Sequence, residues 1–213
     1  MKTQIVIIAI LTCLFTSNTH AQKQKVEGYK NKKTETIQSS ENDNMKSLFK
    51  ETFSSEGFDQ EWVVKSATAN LTAFQDDEKG KVLKIKSNRA NGDSFLEKDL
   101  TQLLRGKDVK LQAEIKLIDV VTGNQSYEQG QLCIKYNVNG EDYYAAVQNL
   151  SGSAEWDTYF AHEDGSKPLD NTQWGSYVFH IPQEANNIIL YLGLQNCSGE
   201  IYFSNLEIFE ITE

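Results

Sequence analysis

Residues 131–149, QLCIKYNVNGEDYYAAVQN, carry the clearest structural signal in the chain. Two runs of alternating apolar and polar residues, rich in β-branched and aromatic side chains, flank Asn139 and Gly140. This dipeptide is favoured in two-residue hairpin turns, because both central positions of such a turn require a positive φ. The pattern therefore predicts that segments 131–138 and 142–149 pair as antiparallel neighbours.

The same texture extends from Leu48 to the C-terminus. Short runs rich in Val, Ile, Tyr and Phe alternate with polar residues and turn signals, which predicts about ten strands. The chain contains 2 prolines, and its best helical signal, residues 100–104, is stopped by Gly106. These features predict an all-β sandwich.

Period-two alternation predicts which residues fill the core. Alternate residues within 109–117, 132–138 and 188–194 form three inward rows. A change of phase in the last strand predicts a bulge near Ser204-Asn205. Four further aromatic residues are assigned to core packing: Trp62, Trp174, Tyr177 and Phe179.

The first 46 residues predict export. Residues 1–21 combine a basic start, a short apolar core and small residues before a cleavage point after Ala21, which is the pattern of a signal peptide. A lipoprotein alternative would use Cys13, whose flanking residues fit a lipidation signal less well. Residues 22–46 are polar, so we interpret them as a disordered tether and residues 47–213 as the jelly-roll domain. The expected location is secreted, periplasmic or at the cell surface.

Charge and cysteine content exclude several functions. The formal net charge of -9 gives no electrostatic basis for binding nucleic acid or anionic membranes. No segment is apolar for long enough to predict membrane insertion.

Cleavage would remove Cys13 and leave Cys133 and Cys197, which an oxidising compartment could join in a disulfide or leave as buried thiols.

The last third of the chain carries motifs of a known group. Residues 174–182 read WGSYVFHIP, residues 189–194 read ILYLGL and residues 198–208 read SGEIYFSNLEI. Over residues 48–210 the chain resembles galactose-binding-like jelly rolls, in particular the carbohydrate-binding modules attached to bacterial cellulases and xylanases. The resemblance implies a jelly-roll β-sandwich of two antiparallel sheets, a bacterial source and a polysaccharide or oligosaccharide ligand.

The resemblance also implies a structural calcium ion, but the chain departs from the group at the expected ligands. Members often carry acids after the Phe of the first strand and after the aromatic pair of the last. Ser54 and Ser204 stand at these positions. Because Ca²⁺ prefers carboxylate oxygens, we expect no cofactor unless Glu51 or Glu56 supplies a replacement ligand.

The sequence contains no motif that predicts an enzyme. The sequence lacks zinc-ligand spacing, a nucleophile elbow and a phosphate loop. His162 falls in a predicted loop and His180 on a predicted strand. Glu155 and Asp157 could form the acid pair of a glycan hydrolase or lyase, but a solvent-exposed strand face explains them better. We therefore predict no catalytic residue.

Outward side chains of neighbouring predicted strands form a candidate binding platform. Sugar sites combine flat aromatic rings with amides and acids that bind hydroxyl groups. The alternation of segment 142–149 places Tyr144 and Gln148 outward. For segment 154–161 the sequence leaves two alternatives, in which either Asp157 and Tyr159 or Trp156 point outward. The candidate ligand-binding residues are Tyr127, Tyr144, Gln148, Trp156, Asp157 and Tyr159.

Three functions follow from these observations. The first is a non-catalytic glycan-binding module. The second is a structural or protein-interaction domain at the cell surface or in the periplasm, with a protein partner. The third is a small glycan hydrolase or lyase. An exposed aromatic row would favour the first, a flat apolar patch the second, and a cleft that joins the acid pair the third.

Overall fold

The computed structural model describes residues 44–54, 62–65, 70–88, 92–163 and 177–212. These residues lie in a compact unit that spans Gln38–Glu213. The predicted signal peptide with Cys13, nearly all of the predicted tether, Glu56 and Trp174 lie outside the described residues.

Strands dominate the described chain. One short helix, α1 (Thr101–Leu104), ends before Gly106, whose φ of 70° only glycine adopts readily. Within the described ranges, no helix is both long and apolar enough to cross a membrane. In chain order the strands are β1 (Met45–Glu51), β2 (Val63–Val64), β3 (Asn70–Asp76), β4 (Gly80–Ser87), β5 (Ser94–Asp99), β6 (Lys107–Val121), β7 (Gly130–Val138), β8 (Glu141–Ala146), β9 (Gly152–Phe160), β10 (His162–Glu163), β11 (Phe179–Ile181), β12 (Asn186–Leu194) and β13 (Ser198–Ile211).

These strands form two antiparallel sheets. A seven-stranded sheet has the order β11-β6-β13-β4-β3, with β1 paired to β13 and β9 paired to β6. A six-stranded sheet has the order β10-β8-β7-β12-β5-β2. The predicted all-β sandwich of two antiparallel sheets is confirmed.

One hydrophobic core draws alternate residues from both sheets. Strand β6 contributes its inward row from Val109 to Leu117, and β7 contributes Leu132, Ile134 and Tyr136. Burial of each large apolar side chain stabilises the fold by about 1.5–3 kcal/mol. The assignment of Trp62 and Phe179 to the core is confirmed as well, because their side chains are only 4% and 1% exposed.

The predicted hairpin turn and the predicted bulge are both present. Strand β7 pairs with β8 through a turn in which Asn139 and Gly140 have φ of 53° and 90°. Against β6, the register of β13 shifts between Ser204 and Glu207. The hairpin and the bulge therefore follow from the local sequence.

Two predictions about single residues are wrong. His162 is not in a loop, because it pairs with Ala146 as the first residue of β10. Tyr177 is 46% exposed rather than part of the core. Strand β11 begins only at Phe179, so Tyr177 precedes the strand and does not share the alternation that buries Phe179 and Ile181.

The two cysteines of the predicted domain are separate. Cys133 and Cys197 are both buried, and they are not joined in a disulfide. Burial raises the pKa of Cys197 to about 12, so this thiol stays protonated at neutral pH.

Candidate functional site

Three of the six predicted binding residues line one cleft. Tyr144 lies on the outer face of β8, Gln148 follows that strand, and Tyr127 belongs to the connection between β6 and β7. The cleft has a volume of about 530 Å³ and lies on the outer face of the six-stranded sheet. We call it the amide cleft, and its lining consists of Ser126, Tyr127, Gln129, Gln131, Cys133, Tyr144, Ala146, Val147, Gln148 and Gln195.

The composition of the amide cleft is aromatic and neutral. Of the described residues that line it, four are glutamines and none is charged. Cys133 and Ala146 face each other in the register of β7 and β8, and these small side chains leave the sheet open to a ligand. Tyr127 and Tyr144 are 57% and 45% exposed, so their rings are accessible. Each amide can both donate and accept hydrogen bonds.

A carboxylate orders the loop that carries Tyr127. Glu128 Oε2 accepts hydrogen bonds from the backbone N–H of Asn124 and from that of Gln125, the second at 2.9 Å. Gln131 Nε2 donates to the carbonyl oxygen of Tyr127 at 2.7 Å. A loop that is already ordered loses less entropy when a ligand binds.

An ion pair borders the Tyr144 ring. The Lys135 ammonium lies 5.8 Å from the ring centre and 2.6 Å from Asp142 Oδ2. The hydrogen bond to Asp142 raises the pKa of Lys135, which therefore stays charged. Attraction between this cation and the ring favours one ring position.

The other three predicted residues lie on the opposite sheet. Trp156, Asp157 and Tyr159 belong to β9, which pairs with β6 rather than with β8. Tyr159 packs against the core, whereas the Trp156 ring lies 6.4 Å from that of Tyr202. The sequence left two alternatives for this segment, with either Trp156 or Tyr159 pointing outward. In the structure Trp156 points outward and Tyr159 inward. These residues do not join the amide cleft.

The acid pair of the hydrolase hypothesis is not assembled into a site. The side chain of Glu155 is 87% exposed and pairs with Lys116 at 3.0 Å. Asp157 accepts a hydrogen bond from the backbone N–H of Thr158 at 2.8 Å. Neither acid lines the amide cleft. Glycoside hydrolysis needs two carboxyl groups on either side of a bound sugar, and this arrangement does not support it.

Glu51, the described candidate for a replacement calcium ligand, already accepts two hydrogen bonds, and Glu56 lies outside the described residues. Glu51 Oε1 accepts the backbone N–H of Phe53 at 2.8 Å, and Oε2 accepts the indole N–H of Trp62 at 3.4 Å. The hydroxyl groups of Ser54 and Thr52 form a hydrogen bond with an oxygen–oxygen distance of 2.7 Å. Calcium takes six to eight oxygen ligands. Among the described residues there is no group of three or more His, Cys, Asp and Glu that could hold a metal.

A half-buried carboxyl group lies at the edge of the six-stranded sheet. Tyr136 Oη donates to Glu163 Oε1 at 2.9 Å, and the Tyr136 ring stacks on Tyr143 with centroids 5.6 Å apart. Burial raises the pKa of Glu163, although the Tyr136 hydrogen bond and nearby His180 oppose the rise. Folding therefore raises the proton affinity of Glu163 above that of the same group in the unfolded chain.

Replacing Glu163 by glutamine is expected to change the pH dependence of stability. Because the folded pKa of Glu163 is raised, its contribution is complete below the ordinary carboxyl pKa and is lost as pH rises through the folded value. Glutamine keeps an acceptor for Tyr136 but carries no charge. Urea unfolding should show Glu163→Gln more stable relative to the parent at pH 7 than at pH 4. A difference that does not vary with pH would contradict this assignment.

Three of the four glutamines that line the amide cleft were not among the predicted binding residues: Gln129, Gln131 and Gln195. The alternation of β7 places Gln131 on the face opposite Leu132, so this signal was present in the sequence. Gln129 and Gln195 lie just outside β7 and β12, where the backbone N–H of Gln195 donates to the carbonyl of Gln129 at 2.9 Å. Their proximity depends on the pairing of these distant strands.

Solved carbohydrate-binding modules have a similar fold. The Clostridium thermocellum N-terminal xylanase 10B structure, with family 22 binding and GH10 modules and bound xylohexaose, has a TM-score of 0.51 and 18% identity over 77% of this chain and 28% of that chain. A xylan-binding domain of Paenibacillus barcinonensis Xyn10C has a TM-score of 0.51 and 15% identity, covering 80% of this chain and 97% of that one. The C-terminal family 22 module of the Clostridium xylanase has a TM-score of 0.50 and 13% identity, covering 78% and 93%.

These similarities establish a shared β-sandwich fold. The resemblance to carbohydrate-binding modules that the sequence indicated is thus confirmed at the level of fold. The chain spans 28% of the length of the xylanase structure, which also includes a GH10 module. No protein-family model and no curated protein matches the sequence.

Proposed function

We propose that this chain is an exported, non-catalytic glycan-binding module whose amide cleft takes an uncharged polysaccharide or oligosaccharide. The observation that carries the proposal is the composition of that cleft. Two exposed tyrosines and four glutamines line it, with no charge among the described lining residues. Export rests on the signal-peptide pattern of residues 1–21.

The chemistry of the cleft suits a neutral sugar. The rings of Tyr127 and Tyr144 offer flat apolar surfaces to the C–H groups of a pyranose, and the glutamine amides bind its hydroxyl groups in either direction. A carboxylated sugar would lose hydration without gaining a cation among the lining residues, which costs free energy. A volume of about 530 Å³ lies within the range of small-ligand sites.

Xylan is the first probe because two of the similar structures are described with it. One of them holds xylohexaose, and the other is a xylan-binding domain. The identity of these two structures to this chain is below one fifth. A panel of polysaccharides is therefore needed to find the glycan that this chain prefers. Neutral xylan, mannan and mixed-linkage β-glucan test the proposed class, and polygalacturonate supplies the anionic comparison.

Affinity gel electrophoresis of the full chain tests the proposal. We expect at least one neutral polysaccharide to retard the native protein and polygalacturonate to leave its mobility unchanged. Retardation that 0.5 M salt abolishes would indicate a charge-driven contact and contradict the neutral cleft. No retardation by any member of the panel would overturn glycan binding at this cleft, and a search for a protein partner would follow.

A further inference from the structure

Three aromatic rings lie together on the outer face of the seven-stranded sheet, away from the amide cleft. Phe74, Trp156 and Tyr202 come from β3, β9 and β13. The Tyr202 ring is at the centre, 5.7 Å from Phe74 and 6.4 Å from Trp156, in edge-to-face contact with both. Outer strand faces in water usually carry polar residues, so an aromatic cluster at this position needs a separate explanation.

Phe74 is the most exposed of the three rings. Phe74 is 40% exposed, whereas Tyr202 is 5% exposed. Tyr202 supports Phe74 from the side, and the Lys84 ammonium lies 5.4 Å from the Phe74 ring centre. Because Lys84 lies over one face of the ring, a ligand would contact the part of Phe74 that remains exposed.

Carboxyl groups of the β3–β4 turn line the same cleft as this ring. The lining of this cleft of about 360 Å³ consists of Phe74, Gln75, Asp76, Asp77, Glu78, Lys116, Ile118 and Tyr202. Asp76 is held in place, because its Oδ1 accepts the Trp156 indole N–H at 3.3 Å and the backbone N–H groups of Glu78 and Lys79. Asp77 and Glu78 are exposed at the same turn. We call this site the outer aromatic cleft.

The cations at the outer aromatic cleft, Lys116 of its lining and Lys84 beside it, are already paired. Lys84 Nζ lies 2.8 Å from Glu200 Oε2, and Lys116 Nζ lies 3.0 Å from Glu155 Oε2. Hydrogen bonds from Lys84, Lys86 and Tyr202 lower the pKa of Glu200 to about 2, so this acid remains ionised and keeps its partners. An anionic ligand would meet three acids of the turn and cations that already have counter-charges. The cleft therefore suits ligands without acidic groups.

We propose that the outer aromatic cleft is a second glycan-binding site, which takes a non-acidic sugar with Phe74 against its apolar face and the turn carboxylates on its hydroxyl groups. The proposal shares its ligand class with the proposed function but none of its residues. A second copy of this chain is a poorer occupant, because its net charge of -9 would be repelled by the acidic turn. One chain would then hold glycan on two opposite faces, and simultaneous binding would increase avidity for a polymer.

The test removes each site separately in the full chain. Tyr127→Ala/Tyr144→Ala disables the amide cleft. Phe74→Leu disables the outer aromatic cleft, since leucine preserves apolar packing on Tyr202 but has no flat face. Tyr177→Leu is the matched control, because Tyr177 is an aromatic residue of similar exposure outside both clefts. Binding is measured with xylan by affinity gels and with xylohexaose by calorimetry, and circular dichroism verifies folding.

We expect the amide-cleft variant to retain weak xylan binding, and Phe74→Leu in that background to reduce it further by about fivefold, or about 1 kcal/mol. Asp77→Asn/Glu78→Gln should weaken the residual binding as well. An amide-cleft variant that binds nothing, or residual binding that Phe74→Leu leaves unchanged, would overturn the second site. Binding lost in Phe74→Leu but retained in the amide-cleft variant would support the second site and refute the proposed function. No binding by the parent would refute both.

Discussion

Replacing Tyr144 by alanine is expected to weaken binding of the polysaccharide that retards the parent chain by about tenfold, or about 1.4 kcal/mol. The ring is 45% exposed within the amide cleft and is positioned by Lys135. Exposed aromatic rings in preformed sites contribute much of the binding energy of an interface. Affinity gels across a range of polysaccharide concentrations give the dissociation constants of parent and variant.

Two control variants separate the role of the ring from a general effect of mutation. Tyr144→Phe preserves the flat face and should bind within about twofold of the parent, since a single exposed hydroxyl contributes little. Tyr177→Ala removes a ring of nearly equal exposure, 46%, which lies outside the amide cleft. If Tyr144→Ala binds as tightly as Tyr177→Ala, the amide cleft is not the place where glycan binds.

Replacing Gly193 by alanine should cost the largest stability of the point substitutions considered, about 3 kcal/mol. A Cβ at this position would lie 2.0 Å from the carbonyl oxygen of Ser94 and 2.9 Å from Phe95 Cδ1. The first of these atoms belongs to the backbone of β5, so relief requires a shift of one strand relative to another. The φ of Gly193 is 151°, which adds strain for any residue with a Cβ. Urea unfolding measures the loss.

Gly92→Ala is the matched control for this substitution. A Cβ at Gly92 would meet nothing within 4 Å, and we expect its free energy of unfolding to stay within about 0.5 kcal/mol of the parent. Equal unfolding midpoints for Gly193→Ala and Gly92→Ala would show that β5 and β12 are not packed as closely as the structure has them.

Local patterns in the sequence predicted the strands well. The turn at Asn139-Gly140, the bulge near Ser204 and the inward rows of β6, β7 and β12 depend on side chains that are neighbours in the chain. In these segments each residue's face follows from period-two alternation, and the turn residues follow from their φ angles. The same alternation correctly placed Tyr144 and Gln148 outward.

The candidate site was harder to predict because it joins strands that are distant in sequence. Trp156 and Tyr159 follow β8 closely along the chain, but β9 pairs with β6 in the other sheet. Gln129 and Gln195 meet in the amide cleft although 66 residues separate them, because β7 pairs with β12. Alternation gives the two faces of a strand but does not give its partners.

The amino-acid sequence by itself thus predicted an all-β chain, the side chains on the inner faces of its strands and an export signal, and it contained no catalytic motif. The tertiary structure added the partners of each strand, the separation of the predicted platform into residues of two sheets, and the two clefts. The reason is the range of the interactions involved. Turns and alternation act between adjacent residues, whereas contacts such as Ser47 Oγ to Glu207 Oε1 join positions 160 residues apart and form only when the whole sandwich assembles.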